Sequence, residues 1–212
     1  MSFRWFSPAE IASAVRLLWA DFANRNRAEF TPLTPDSPIT LVVPTFNRPN
    51  VWPPLIESIN KLDLLPTHLV VIDQSTDLQA RVQVKEMLAK LDPSVSVKYL
   101  EMDVQNRCIA KQTGFKAALD GLVVVTDDDV TLPAPFFSYY VSFLSEFPDR
   151  ILTPRILEPG QAETQTRNVQ RFTWYGHFFN NSHTVAAVDG LNCYSGGAFG
   201  FIKSDRNRAF TY

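Results

Sequence analysis

Leu122-Val-Val-Val-Thr-Asp-Asp-Asp-Val-Thr131 sets a short apolar run, Leu122 to Val125, directly before three carboxylates at Asp127, Asp128 and Asp129. The run has the length and composition of a strand buried on both faces, as in a parallel sheet. Three like charges at a strand end repel one another, so folding alone does not account for them. Opposing positive charge does, and hard divalent cations such as Mg²⁺ take carboxylate oxygens and share them with substrate phosphates. Strand ends of open α/β sheets are also where ligands bind. A solvated acidic turn is the plainer reading of the same residues, because Asp is common in turns.

Working back from this run, the same pattern repeats. Ile39-Thr-Leu-Val-Val43 reads as a buried strand stopped by Pro44, and Leu69-Val-Val-Ile72 as a second that ends at Asp73. Val95, Val97 and Tyr99 alternate as a third, which makes Leu122 to Thr126 the fourth. Helical spacing is expected between them, over 53–62, 79–91 and 107–119. Short apolar strands separated by helices predict parallel βαβ units, with helices on both faces of one mostly parallel sheet. Every such strand ends at the same sheet edge. Thr45 to Arg48, Asp73 and Asp127 to Asp129 are therefore expected in one crevice.

Outside this core the signals are more varied. Ser7-Pro8-Ala9-Glu10 is a helix start with an N-cap Ser and Pro at the first helical position. Ile11, Val15, Leu18 and Phe22 then form an apolar stripe for packing on the domain or a partner, or for lying on a membrane surface. A Pro-rich stretch, 31–38, reads as a linker, so the chain divides into a helix and linker over 1–38 and a domain over 39–212. Past Asp129, a helix is expected over 133–147 with six large apolar residues facing the core. Strands are expected over 151–157, 185–189 and 198–202, and a mobile polar loop over 158–171. Trp174, Tyr175 and Phe178 offer flat aromatic faces for stacking on a ligand ring or for packing in the core.

Composition narrows the function classes. The 212 residues carry a net charge of −2, with 45% hydrophobic and 20% charged residues. That is ordinary for a globular domain. The near-neutral balance argues against bulk nucleic-acid binding, which would need a basic face. Cys108 and Cys193 fit neither a zinc spacing nor a disulfide framework and read as reduced thiols. With no signal peptide and no apolar run of about 20 residues, a cytoplasmic location is expected, membrane-peripheral through helix 8–24 as the alternative.

Four segments now stand together: Val42-Val-Pro-Thr-Phe-Asn-Arg-Pro49, Val70-Val-Ile-Asp-Gln-Ser-Thr-Asp77, Asn106-Arg-Cys-Ile-Ala-Lys-Gln-Thr-Gly114 and Val124-Val-Thr-Asp-Asp-Asp-Val130. In this order the chain resembles the family 2 glycosyltransferases, inverting enzymes with a Rossmann-like GT-A fold. The resemblance runs over about residues 39–203. It implies a nucleotide sugar, a UDP-sugar first among them, bound with Mg²⁺ or Mn²⁺ and passed to a saccharide or lipid-linked acceptor in polysaccharide biosynthesis. Thr45 and Asn47 match the loop lining the nucleoside pocket, with Arg48 beside them. Asp73 matches the carboxylate that reaches base or ribose, although it reads also as a turn cap. Arg107 or Lys111 matches the basic residue near the nucleotide. Asp127 and Asp129 are the outer acids of the D-x-D stretch and the implied metal ligands, Asp129 foremost, with Asp128 nearest the sugar or ribose.

The chain also departs from the family's pattern. Gln74 and Ser75 stand where the family has Asp and Gly, and Gln112 replaces the usual Asn. The acidic E-D segment that would supply a general base is not found before Tyr212, and only Asp189 and Asp205 are late acids. A truncated product, a base from another subunit or domain, and a donor-binding relic all account for that. A non-catalytic nucleotide-sugar-binding protein of the same fold is thus the alternative function. A nucleotidyltransferase is disfavoured, because Thr45-Phe-Asn-Arg48 replaces the Gly-rich basic loop such enzymes carry.

Overall fold

The computed structural model describes residues 33–34, 36–148, 151–152, 168–172, 178–182 and 198–203. The helix expected over 8–24, the strand over 185–189, Trp174, Tyr175 and Cys193 lie outside them. So do Asp189 and Asp205.

Five strands form one sheet: β1 (Ile39–Thr45), β2 (His68–Asp73), β3 (Ser96–Glu101), β4 (Gly121–Thr126) and β7 (Ala198–Lys203), in the order β3-β2-β1-β4-β7. β1, β2, β3 and β4 are parallel, and β7 runs antiparallel beside β4. The chain steps outward from β1 to β3, then returns to the other side of β1 as β4. The switch point of this doubly wound α/β sheet therefore lies between β1 and β4, where the crevice rule puts a ligand.

Alternation along the strands builds two cores. Leu41, Val43, Leu69, Val71, Leu122 and Val124 face α1 (Trp52–Ile59), α2 (Leu78–Leu88) and α4 (Phe136–Glu146), which contribute Trp52, Leu55, Val84, Phe137 and Tyr140. Val42, Val70, Ile72, Val123 and Val125 face α3 (Arg107–Ala117), which contributes Ala110 and Phe115. The expectation of helices on both faces is met.

Several boundaries differ, each for a physical reason. β1 continues through Pro44 to Thr45. The Thr45 carbonyl accepts from the Gln74 amide at 3.0 Å, so Pro44 faces the β4 side, where pairing has already ended at Val42 and Val125. Its missing N–H is not needed there. α1 ends at Ile59, and the residues to Leu62 continue as tighter turns through amide bonds from Lys61 to Ser58 and from Leu62 to Ile59. The loop expected over 158–171 is corrected at its end. Asn168–Phe172 is β5, paired antiparallel with β6 (Phe178–Ser182) in a separate two-stranded sheet. Ladder hydrogen bonds define such a ribbon, so a polar stretch carries no apolar pattern to announce it. Of the strand expected over 151–157, the structure describes only Ile151 and Leu152, the latter bridged to Gly200. No helix among the described residues is long and apolar enough to cross a membrane.

The entry to β4 is tight. Gly121 has a φ of 137°, and a Cβ there would lie 2.4 Å from the Pro38 carbonyl oxygen. That oxygen also accepts from the Leu122 amide at 2.9 Å. Gly121→Ala is expected to cost about 1–3 kcal/mol through backbone strain and this clash. A urea midpoint equal to that of the native chain would contradict it.

Candidate functional site

The three loops leaving β1, β2 and β4 meet at the switch point. Thr45, last residue of β1, is buried and donates its hydroxyl to Asp128 Oδ2 at 2.6 Å. The indole N–H of Trp52, at the start of α1, donates to the same Thr45 oxygen at 3.2 Å. Asp128 is fully buried, and its second oxygen is held by the Arg48 guanidinium. The other arm of Arg48 reaches Asp129 Oδ2 at 3.0 Å, so one guanidinium bridges two successive carboxylates.

Asp127 has its own cations. Arg107, the first residue of α3, lies 2.7 Å from both of its oxygens, and Lys111, one turn on, is 3.5 Å from Oδ1. α3 starts there because Asn106 caps it, its side chain accepting from the amides of Cys108 at 2.9 Å and Ile109 at 3.1 Å. The positive charge that three adjacent carboxylates call for is thus carried by Arg48, Arg107 and Lys111. From sequence, Arg48 reads equally well as a solvated loop residue, and Lys111 more readily as a plain surface lysine on its helix.

Burial tunes the charges. It pushes the Asp128 carboxyl above the usual carboxylate range, against the opposing pull of Thr45 and Arg48. It also holds the Lys111 ammonium below the usual lysine range despite Asp127 nearby. The hydrogen bond to Asp127 raises Arg107 further. Arg48, Asp129 and Arg107 remain well exposed, with side-chain exposures of 49%, 48% and 61%. These three line the open mouth, while Thr45 and Asp128 form its floor.

The β2 loop is welded to the β1 loop. Asn47 sits at a φ of 50°, in the left-handed region that Asn tolerates. There its amide donates to Ser75 Oγ at 2.8 Å, and its side-chain oxygen accepts from the amides of Thr76 at 3.0 Å and Asp77 at 3.1 Å. Asp73 is fully buried and accepts from the Ser75 amide at 2.7 Å and from the Tyr99 hydroxyl. The turn-cap reading of Asp73 therefore describes its geometry. Tyr99 is held in its protonated form, chiefly by burial and by the hydrogen bond to Asp73.

The two departures in this loop have structural work. Ser75 is the acceptor for Asn47, and the Gln74 amide donates to the carbonyls of Val104 and of Asn106, the latter at 3.1 Å. A carboxylate at position 74 has no N–H to give them. Tyr99, Trp52 and Gln74 were not singled out from sequence as parts of the site. Only Gln74 left a signal, as a departure from pattern.

Whether these residues fit a divalent cation follows from their oxygens. Among the described residues no group of three His, Cys, Asp or Glu could hold a metal. A cation that takes one or two carboxylates plus phosphate oxygens needs less than that. Half-exposed Asp129, bound by Arg48 at one oxygen, fits such a donor set, with Asp127 beside it.

Comparison with known proteins follows the same line. The family described as Glycosyl transferase family 2 matches residues 40–208. No curated protein matches the chain. Among solved structures, the chain is similar to S. aureus TarS 1-349 in complex with UDP, at 21% identity and a TM-score of 0.49, over 63% of this chain and 40% of that one. It is similar also to mannosyltransferase PcManGT from Pyrobaculum calidifontis in complex with GDP-Man and Mn²⁺, at 23% identity and a TM-score of 0.47, over 61% and 39%. The chain thus spans about two fifths of the length of each. With well over half of its residues matched by the family's pattern, this chain belongs to glycosyltransferase family 2.

Proposed function

We propose that the chain binds a nucleotide sugar at the β1/β4 switch point and transfers the sugar, with inversion, to the hydroxyl of a saccharide or lipid-linked acceptor. One observation carries the reading: the charge-balanced cluster of Asp127, Asp128 and Asp129 with Arg48, Arg107 and Lys111, at the sheet edge where α/β folds take ligands. In this reading Thr45, Asn47 and Asp73 shape the nucleoside pocket, Arg107 and Lys111 lie beside the nucleotide, and Asp129 with Asp127 would hold Mg²⁺ or Mn²⁺. Such an ion supplies Lewis-acid stabilisation of the departing diphosphate. Asp128, with both oxygens engaged, acts on the donor through Thr45 and Arg48. The general base is assigned to none of the described residues. The reaction belongs in the cytoplasm, with helix 8–24 as a membrane or oligomer contact.

A UDP-sugar with Mn²⁺ at about a hundredfold its Kd is expected to add about 2.7 kcal/mol of stability. At this chain length that is a Tm rise of about 5–10 °C. Asp129→Ala is expected to abolish the rise. No rise with any nucleotide sugar would remove the donor-site reading. A rise without donor hydrolysis or transfer would favour the non-catalytic binder.

A further inference from the structure

We infer that Arg48 is an exchangeable internal counter-ion that ties cation binding to diphosphate binding. The inference rests on the donor-site reading above. Its starting point is the unequal standing of the two carboxylates that Arg48 bridges. Asp128 has no exposed surface, and Thr45 fixes its other oxygen, so the arm of Arg48 on Asp128 is anchored. Asp129 is half exposed, and the arm that reaches it at 3.0 Å stands in the open mouth of the crevice.

That open arm occupies an oxygen of Asp129, the more accessible of the two acids assigned to the cation. A divalent ion binds carboxylate oxygen at about 2.1 Å, which would bring it within a few ångströms of the guanidinium. Two positive charges so close repel strongly in a half-buried site. A cation alone therefore has to displace the arm of Arg48 and leave it without an anion. A diphosphate removes that penalty, since a guanidinium pairs as well with phosphate as with carboxylate. Arg48 pivots about Asp128 from Asp129 to the diphosphate, and Asp129 is released to the cation. Each ligand then improves the affinity of the other by the same factor.

The test is Mn²⁺ binding by calorimetry, with and without UDP, to the native chain, Arg48→Gln and Arg48→Lys, each checked for an intact thermal transition. Replacing Arg48 also takes the charge partner from buried Asp128, which is why Arg48→Lys, retaining a positive charge, accompanies Arg48→Gln. The native chain is expected to bind Mn²⁺ alone weakly and about tenfold or more tightly with UDP, the scale of a typical coupling. Arg48→Gln is expected to bind Mn²⁺ alone about tenfold more tightly than the native chain and to gain less from UDP than the native chain does, only the direct coordination of phosphate by the ion being kept. Arg48→Lys, whose single ammonium cannot span both carboxylates, should fall between. Unchanged or weaker Mn²⁺ binding by Arg48→Gln would overturn the inference. A native chain that binds no Mn²⁺ with UDP present would instead count against the donor-site reading. The Mn²⁺-only comparison would still decide the role of Arg48.

Discussion

Trp52→Ala is expected to remove about 3–5 kcal/mol of stability, the range for a large buried aromatic, and to loosen the carboxylate floor as well. Trp52 is fully buried in the core below the sheet edge, and its indole N–H reaches Thr45 Oγ1 at 3.2 Å. An indole nitrogen donates only. With that lone pair of Thr45 occupied, the hydroxyl proton is turned toward Asp128, where the bond measures 2.6 Å. Trp52 thus fixes the direction of a hydrogen bond in the site from within the core. Trp52→Phe separates the two roles. It keeps most of the packing and is expected to cost about 1–2 kcal/mol, yet it should weaken UDP binding in the presence of Mn²⁺. Urea unfolding and calorimetry on the two variants distinguish the effects. Native-like UDP affinity in Trp52→Phe would show that the indole bond does not orient Thr45.

The contrast between Trp52 and Asp127 to Asp129 explains what was legible in the sequence. Strand runs such as Leu69 to Ile72 announce themselves because both faces are buried, and their shared direction follows from the helices between them. The convergence of Thr45, Asp73 and Asp127 on one edge follows from that direction alone. The pairing partners did not follow. Arg48 and Arg107 reach their carboxylates across separations of 80 and 20 residues, and nothing local distinguishes them from solvated side chains. Three adjacent carboxylates in sequence point to a metal for the balancing charge, and the fold sets three cations of its own beside them. Asn168–Phe172 was hidden for the opposite reason, since a ribbon held by ladder hydrogen bonds needs no apolar alternation.

Gly114→Val is expected to be the most damaging exchange on the other face of the sheet. Helix α3 lies so close to β1 that a Cβ at position 114 would sit 2.2 Å from Val42 Cγ1 and 3.3 Å from Ile72 Cγ1. Both neighbours are β-branched and buried, with little rotamer freedom to move aside. The helix itself must therefore lift. Gly114→Ala should cost about 1–3 kcal/mol for the overpacking, less about 1 kcal/mol of gained helix propensity. Gly114→Val adds two methyls to the same contact and is expected to lose about 3 kcal/mol or more. Lifting α3 also draws Arg107 and Lys111 away from Asp127, because all three contacts depend on where the helix starts. Nucleotide affinity should fall in Gly114→Ala even where the fold survives. The double variant Gly114→Ala with Val42→Ala restores the space, and a favourable coupling of about 1 kcal/mol or more is expected between the two sites. Urea unfolding of the native chain, Gly114→Ala, Val42→Ala and the double variant measures that coupling, and UDP binding by the same four proteins shows whether α3 has returned to its place. A Gly114→Ala chain more stable than the native one by the full helix-propensity gain of about 1 kcal/mol would mean that the helix and strand do not approach so closely.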